Sequence, residues 1–429
     1  MSTHKLGVQK SRSPKGRVFA GLDIGSTKVS FVIGQISSDG TNTQLEIAGL
    51  GIAPNAGLRQ GVVVNIDTTT EAIRKAKEEA ELMAGFQCND VWVGVSGSHI
   101  KSFDSKGMVA IKNKEVGKSD IERVIEAAKA VAVPSDRQVI HVLPREFRVD
   151  EQDGITDPIG MSGIRLEANV HIVTAAHSAL MNIQKCVEKA GCHIQEFVLE
   201  PLAAAKAVLS NDEKSLGVCV ADFGGGSCHL AYFVNGSVAH TSLIPVGGQH
   251  FTHDVAVGLR TPQVSAETLK KKYGCAMSTM VSDTESIEVD GVGGRNSRQI
   301  PRKDLADVLE ARAEELLQLI SHDLKTSGLL PLLGSGIVIT GGASLLTGLV
   351  EMGEFIFDVP VRRGTPVQLG GLKEIVRSGE FATSVGLLMC GYEKRKEAGM
   401  GMMHSQHEIV TDSIDAFAKK IKNLFNDLF

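Results

Sequence analysis

LGVCVADFGGGSCHLAYF, residues 216–233, reads as a β-hairpin. An apolar run around Val218 and Val220 ends in Asp222; Phe223, three glycines and Ser227 follow, and a second apolar run begins. Two such runs joined by a short glycine-rich turn signal a hairpin. The glycines let backbone N–H groups close on phosphoryl oxygens, and a carboxylate at the strand end can orient a divalent cation through its waters. A tight hairpin with a solvated aspartate would carry the same letters. The arrangement, however, occurs twice. VFAGLDIGSTKVSFVIG, residues 18–34, is again a strand, Asp23, a Gly25-Ser26-Thr27-Lys28 turn and a strand. Downstream of the pair, VHIVTAAHSAL (170–180) and GIVITGGASLL (336–346) both read as β-branched strands ending in Thr, two small residues and a helix start. The core is therefore expected to be two copies of one unit, each with three strands and a helix followed by a strand and a helix. Two hairpins facing each other across a cleft would clamp one polyphosphate from both sides, which makes a nucleotide site.

Length and composition set the bounds. A chain of 429 residues is long enough for two or three domains, with 22% charged and 42% hydrophobic residues as in ordinary globular proteins. A net charge of −5 and only 4% aromatic residues argue against a nucleic-acid partner. Seven cysteines, scattered without a C-x-x-C, point to reduced thiols in a cytosolic compartment, with neither a disulfide framework nor a zinc site. Residues 1–16 are basic, with no apolar stretch of a signal peptide, and are expected to be a disordered arm. No run of 18 apolar residues occurs.

Along the chain, the first unit is expected over 17–85 and 168–209, interrupted by an inserted subdomain at 86–167. That insertion has its own α/β pattern: a strand at Val91–Val95, a helix opened by the capping box Ser119-Asp-Ile-Glu122, and a strand around Val139–Val149. The second unit is expected over 210–259 and 336–391, around an insertion at 260–335. Residues 392–410 mix charge, Gly and Met without periodicity and read as a flexible linker.

Three further constellations bear on chemistry. Thr340-Gly341-Gly342-Ala343 joins a strand to a helix start, and its glycines would let a base or ribose lie against the backbone, where the first copy has Ala175-Ala176. Glu200-Pro201 begins a helix after a strand; Glu200 would hold an attacking water or a magnesium ion, or would simply favour the helix N-terminus electrostatically. Arg295, Arg298, Arg302 and Lys303 lie in or beside a loop without acidic residues, which suits an acidic partner as well as it suits plain solvation. The last segment, 411–429, places Ile414, Phe417, Ile421, Leu424, Phe425 and Leu428 on one helical face flanked by Lys419, Lys420 and Lys422. Such an amphipathic helix behind a linker suits an anionic lipid surface or a partner groove.

Several stretches carry a family resemblance. Asp23-Ile-Gly-Ser-Thr-Lys28, Asp222-Phe-Gly-Gly-Gly-Ser227 and Thr340-Gly-Gly-Ala343 resemble the two phosphate motifs and the adenosine motif of the superfamily of actin, heat-shock chaperones and sugar kinases. Leu199-Glu-Pro-Leu-Ala-Ala204 resembles its first connecting helix. VWVGVSGSHI (91–100), the helix after SDIERV (119–124), IEVDGVGGR (287–295) and the terminal helix are similar to the FtsA family of bacterial division proteins; the match spans about 17–391 and the tail. The resemblance implies an α/β fold: a duplicated actin-like (ribonuclease H-like) ATPase core with two inserted subdomains and a C-terminal amphipathic helix. It implies ATP and magnesium as ligands, with Asp23, Gly25, Ser26, Thr27, Lys28, Asp222, Gly224, Gly225, Gly226 and Ser227 at the phosphates. Glu267 and Lys270, with Gly341, Gly342 and Ala343, would sit at the adenosine. It also implies self-assembly into filaments, other division proteins as partners, and tethering of the tubulin-like FtsZ to the cytoplasmic face of the inner membrane at the septum, with FtsZ docking on the basic loop. Hydrolysis is expected to be slow at most, because Glu200 is the one candidate for the water. The competing readings are a sugar kinase or polyphosphatase of the same superfamily and a pilus-assembly relative.

Overall fold

The computed structural model describes residues 18–38, 43–131, 133–367 and 369–396. The expected basic arm, most of the expected linker and the amphipathic helix at 411–429 lie outside the described residues. Both hairpins form as read. In the first unit β1 (Val18–Ile24) pairs antiparallel with β2 (Lys28–Ser38), which pairs with β3 (Thr43–Pro54). The two-residue strands β4 (Leu58–Arg59) and β5 (Val62–Val63) make a tight hairpin before α1 (Ile66–Ala84). Asn65 caps α1 by accepting from the Thr68 N–H at 2.9 Å, and Gly85 ends it in the left-handed region that glycine adopts without strain. Strand β6 (Asp90–Val95) then joins β1 in parallel.

The chain next builds β7 (Ile100–Ala110), α2 (Lys118–Lys129), β8 (Arg137–Val149), β9 (Gln152–Ile155) and β10 (Arg165–Ala176). These strands form their own sheet in the order β7-β10-β8-β9. Two expectations change here. Asp90–Val95, placed by sequence inside the insertion, is a core strand, whereas 170–176, placed in the core, is the central strand of the inserted sheet. The insertion thus runs from after Val95 to Ala176, not from 86 to 167. The misreading has a physical source: both strands are β-branched, apolar and buried, so composition alone cannot tell which sheet each joins. The cap of α2 also differs. Gly117 is its first flanking residue and its N–H donates to Asp120 Oδ2 at 3.1 Å, so the expected box at Ser119–Glu122 sits two residues late.

The first unit closes with α3 (His177–Lys189), β11 (His193–Leu199) and α4 (Glu200–Val208), where Pro201 suits a first turn whose N–H groups have no partner. After α5 (Asn211–Leu216) the second unit repeats the plan with β12 (Val218–Phe223), β13 (Cys228–Val234), β14 (Ser237–Ile244) and α6 (Gly248–Gly258). Its insertion comprises α7 (Gln263–Tyr273), the ribbon of β15 (Ser286–Val289) and β16 (Arg298–Pro301), and α8 (Arg302–Thr326). Then come β17 (Ile337–Thr340), α9 (Leu349–Phe357), β18 (Val361–Arg363) and β19 (Gly370–Gly371), which returns to pair with β3 of the first unit. The orders β11-β6-β1-β2-β3 and β18-β17-β12-β13-β14 are the same, which establishes the duplication.

A last helix, α10, covers 382–396. It overruns the expected linker by residues 392–396, held by ion pairs of Glu393 with Lys206, Lys394 with Glu196 and Arg395 with Asp90. Helices α4 and α10 fill the space between the sheets. Ala203, Ala204, Ala205 and Ala207 are fully buried, and a Cβ on Gly386 would lie 1.7 Å from the Ala203 carbonyl oxygen, so the two helices meet backbone to backbone. The same closeness sets α10 on β1, because a Cβ on Gly21 would fall 2.1 Å from the Ser384 oxygen.

Candidate functional site between the two hairpins

The equivalent strands β1 and β12 each end in an aspartate, Asp23 and Asp222, and each is followed by a closed turn: Gly25 N–H donates to the Lys28 oxygen at 2.9 Å and Gly224 N–H to the Ser227 oxygen at 3.0 Å. The turns touch. A Cβ on Gly225 would fall 2.6 Å from Thr27 Cγ2, and one on Gly226 would fall 2.9 Å from Ser26 Oγ, so the glycines of one hairpin admit the side chains of the other. Behind the second turn, Gly248 and Gln249 N–H groups at the start of α6 donate to the Gly224 and Gly225 oxygens at 2.9 and 2.8 Å. Gly341 has φ +84°, and a Cβ there would lie 2.3 Å from Asp222 Oδ1; Gly342, by contrast, opens freely on the cavity.

Between these elements lies a cavity of about 540 Å³. Its wall includes Asp23, the Gly25–Lys28 turn, Glu200, Asp222, the Gly224–Ser227 turn, Glu267, Lys270 and Gly341–Ala343, so the residues expected at phosphates and adenosine surround one space. Ser96, His229, Glu380 and Thr383 line it too, and sequence reasoning passed over them; Arg302, expected at a partner surface, also lines the cavity. Ser96-Gly97 had a legible signal: it follows β6 as Gly341-Gly342 follows β17, and it, rather than Ala175-Ala176, is the first unit's counterpart. Glu380 and Thr383 had none, since only the long-range packing of α10 brings them in.

Three buried carboxylates converge on the floor. Burial, then repulsion by Asp222, pushes Asp23 up to about 7 despite Lys28. Burial pushes Asp222 up to about 6, opposed by the hydrogen bond that the Thr383 hydroxyl donates at 2.8 Å and by Lys28. Glu200 is raised well above the usual carboxylate range by burial and by Asp23, with a Ser96 hydrogen bond opposing. His229 is held down to about 4 by burial; its Nε2 lies 2.9 Å from Ser227 Oγ, and its Nδ1 lies 3.4 Å from Glu200 Oε2 without hydrogen-bond geometry. Without a bound cation the floor thus crowds together three carboxyl groups whose burial favours their neutral forms. Among the described residues no group of three or more His, Cys, Asp or Glu could hold a metal ion directly.

At the far end, Lys270 Nζ donates to the Gly248 oxygen at 2.9 Å and to Thr252 Oγ1 at 2.8 Å, and pairs with Glu267 at 2.7 Å. The basic loop is less free than its sequence suggests. Arg298 lies in β16 and donates to the Leu259 oxygen, Arg302 donates to the Tyr273 oxygen at 2.8 Å and to Glu285 at 2.6 Å, and Lys303 pairs with Asp283 at 2.7 Å. Arg295 stays exposed.

With the geometry in hand, similarity to known proteins is informative. The family model for the SHS2 domain inserted in FtsA matches residues 97–174, and that for cell division protein FtsA matches 219–386. The first match coincides with the inserted sheet. Cell division protein FtsA of Pseudomonas aeruginosa is 45% identical over 397 residues, 92% of this chain and 94% of that protein. FtsA of Escherichia coli K12 is 36% identical over 414 residues, 95% of this chain and 97% of that protein. Among solved structures, the PilM-PilN type IV pilus biogenesis complex aligns with a TM-score of 0.62 at 18% identity, over 88% of this chain and 99% of that one. MreB5 of Spiroplasma citri bound to ADP aligns with 0.52 at 15% identity, over 90% and 99%. These last two share the actin-like fold, whereas the curated relatives match nearly the whole sequence. The chain therefore belongs to the FtsA family of cell division proteins.

Proposed function

We propose that this protein binds ATP between its two hairpins, assembles into filaments, and tethers FtsZ to the cytoplasmic face of the inner membrane at the division septum. Other division proteins would gather on the same filament. The observation that carries the nucleotide part is the meeting of the two Asp-Gly turns on one cavity of about 540 Å³, the size of a small-molecule site. The MreB5 structures of the same fold are bound to ADP and AMPPNP, which supports the reading by analogy.

The turns would wrap the phosphates with Gly25, Ser26, Thr27, Gly224, Gly225, Gly226 and Ser227, and Gly341–Ala343 with Glu267 and Lys270 would border the adenosine. A magnesium ion would find hard carboxylate oxygens on Asp23 and Asp222, which line the same cavity and could hold it through its waters. When bound, it supplies positive charge to the phosphate oxygens. Glu200, beside His229 in the cavity wall, can orient a water, and as the one candidate for that role it makes hydrolysis slow at most. ATP then acts chiefly as a structural ligand.

Titration with a fluorescent nucleotide tests the site. Asp222→Ala and Gly342→Val are each expected to weaken ATP binding at least tenfold, about 1.4 kcal/mol. Unchanged affinity in both would remove the assignment.

A further inference from the structure

Lys28 closes the first turn, yet its ammonium does not point at open cavity. Its Nζ lies 2.6 Å from Glu380 Oε2 and 4.4 Å from the ring centroid of Phe381. Both charged side chains line the cavity and are partly exposed, 24% for Lys28 and 36% for Glu380. Glu380 and Phe381 lie in the short turn Gly379–Phe381 that leads into α10, and Thr383 one step further donates to Asp222. The start of α10 therefore grips both hairpins, through Lys28 on one side and Asp222 on the other.

We propose that Glu380 is a resident counter-ion that the phosphates of the nucleotide displace from Lys28. The inference rests on the nucleotide reading above and names how that site discriminates between phosphorylated and unphosphorylated ligands. A lysine ammonium is a compact charge on a flexible stem, able to turn from one anion to another without moving its backbone. A polyphosphate offers it several negative charges where Glu380 offers one. The pair is partly in solvent, so breaking it is cheap enough for a polyphosphate to do. Lys270, Lys271, Lys272 and Arg302 also line the cavity, but on α7 and α8, so among the described residues Lys28 is the cation that the two turns themselves supply. Once Lys28 turns, Glu380 stands beside the phosphates with its charge uncompensated, and like charges drive the Gly379–Phe381 turn outward. Phosphate occupancy is thereby felt at the first residues of α10.

A double-mutant cycle on the full chain tests this. ADP and adenosine are titrated against the unmodified protein, Glu380→Gln, Lys28→Met and the double variant, and the ratio of the two dissociation constants is read, so that a general loss of folding cancels. Glu380→Gln is expected to raise the preference for ADP about three- to tenfold at low salt. Lys28→Met lowers it, and in that background Glu380→Gln changes it by less than about 1.5-fold. The proposal is overturned if Glu380→Gln has no effect on the unmodified background. It is equally overturned if the effect is the same in both backgrounds, since Glu380 would then repel phosphate directly. If the unmodified protein binds neither ligand, the nucleotide reading itself falls, and this inference with it.

Discussion

Asp23 shows what the cavity floor asks of a single residue. Its carboxyl, held up at about 7, keeps a proton that the unfolded chain has lost from about pH 4 upward. The folded state therefore binds more protons than the unfolded one across that window, and the stability of the ligand-free protein falls as pH rises through it. Asp23→Asn removes the buried charge. Thermal melts from pH 4 to pH 8 are expected to show the variant close to the unmodified protein at the acid end and more stable at the alkaline end, by up to about 4 kcal/mol, about three pKa units at about 1.4 kcal/mol each. The slope is reduced rather than abolished, because Glu200 is raised by the same burial. Parallel pH profiles would show that Asp23 is not desolvated as described. Nucleotide affinity moves the other way, so the substitution trades function for stability.

Elements differ in how plainly their letters declare them. The hairpins at Asp23 and Asp222 were legible because turn chemistry is local: glycines, a carboxylate and alternating apolar runs fix the conformation within a dozen residues. Sheet membership was not, because β6 and β10 carry the same buried, β-branched pattern and only pairing partners separate them. The duplication was correct in kind but was matched through the wrong strand in the first unit. The site was largely legible where glycines and aspartates marked it, and illegible where α10 supplied Glu380 and Thr383 from a distance. The basic loop is a third case, since charge was readable but its engagement was not. Arg298 and Arg302 are tied to backbone carbonyls, so reversing them would disturb the ribbon of β15 and β16. Arg295→Glu is the cleaner probe of an acidic FtsZ tail. It is expected to weaken FtsZ binding several-fold at low ionic strength while ATP affinity holds. Binding that stays the same in a co-sedimentation assay at low salt would leave the loop simply solvated.

At the scale of the whole molecule the membrane reading rests on residues 411–429, outside the described structure. Lying flat, Ile414, Phe417, Ile421, Leu424, Phe425 and Leu428 would each bury about 1.5–3 kcal/mol of apolar side chain, and folding on the surface offsets much of that. On the proposed reading, one tail would bind weakly, and a filament presenting many would bind firmly. Phe417→Glu with Leu424→Glu is expected to leave the protein unbound in flotation with anionic vesicles while nucleotide affinity is kept. Co-flotation of that variant would assign the helix to a protein partner. The route from core to tail runs through α10, whose 15 residues from 382 to 396 span roughly 22 Å at 1.5 Å each. One end of this rod is set in the cavity wall; the other is fastened to α4 through Glu393 and Lys206, and to the β6 and β11 edge through Arg395 with Asp90 and Lys394 with Glu196. If the tail is anchored as proposed, a pull on it would load those three ion pairs before it reached Lys28 or Asp222. The first joint to bear such a load would then stand outside the cavity between the hairpins, and parting it would lengthen the proposed tether without opening the cavity walls.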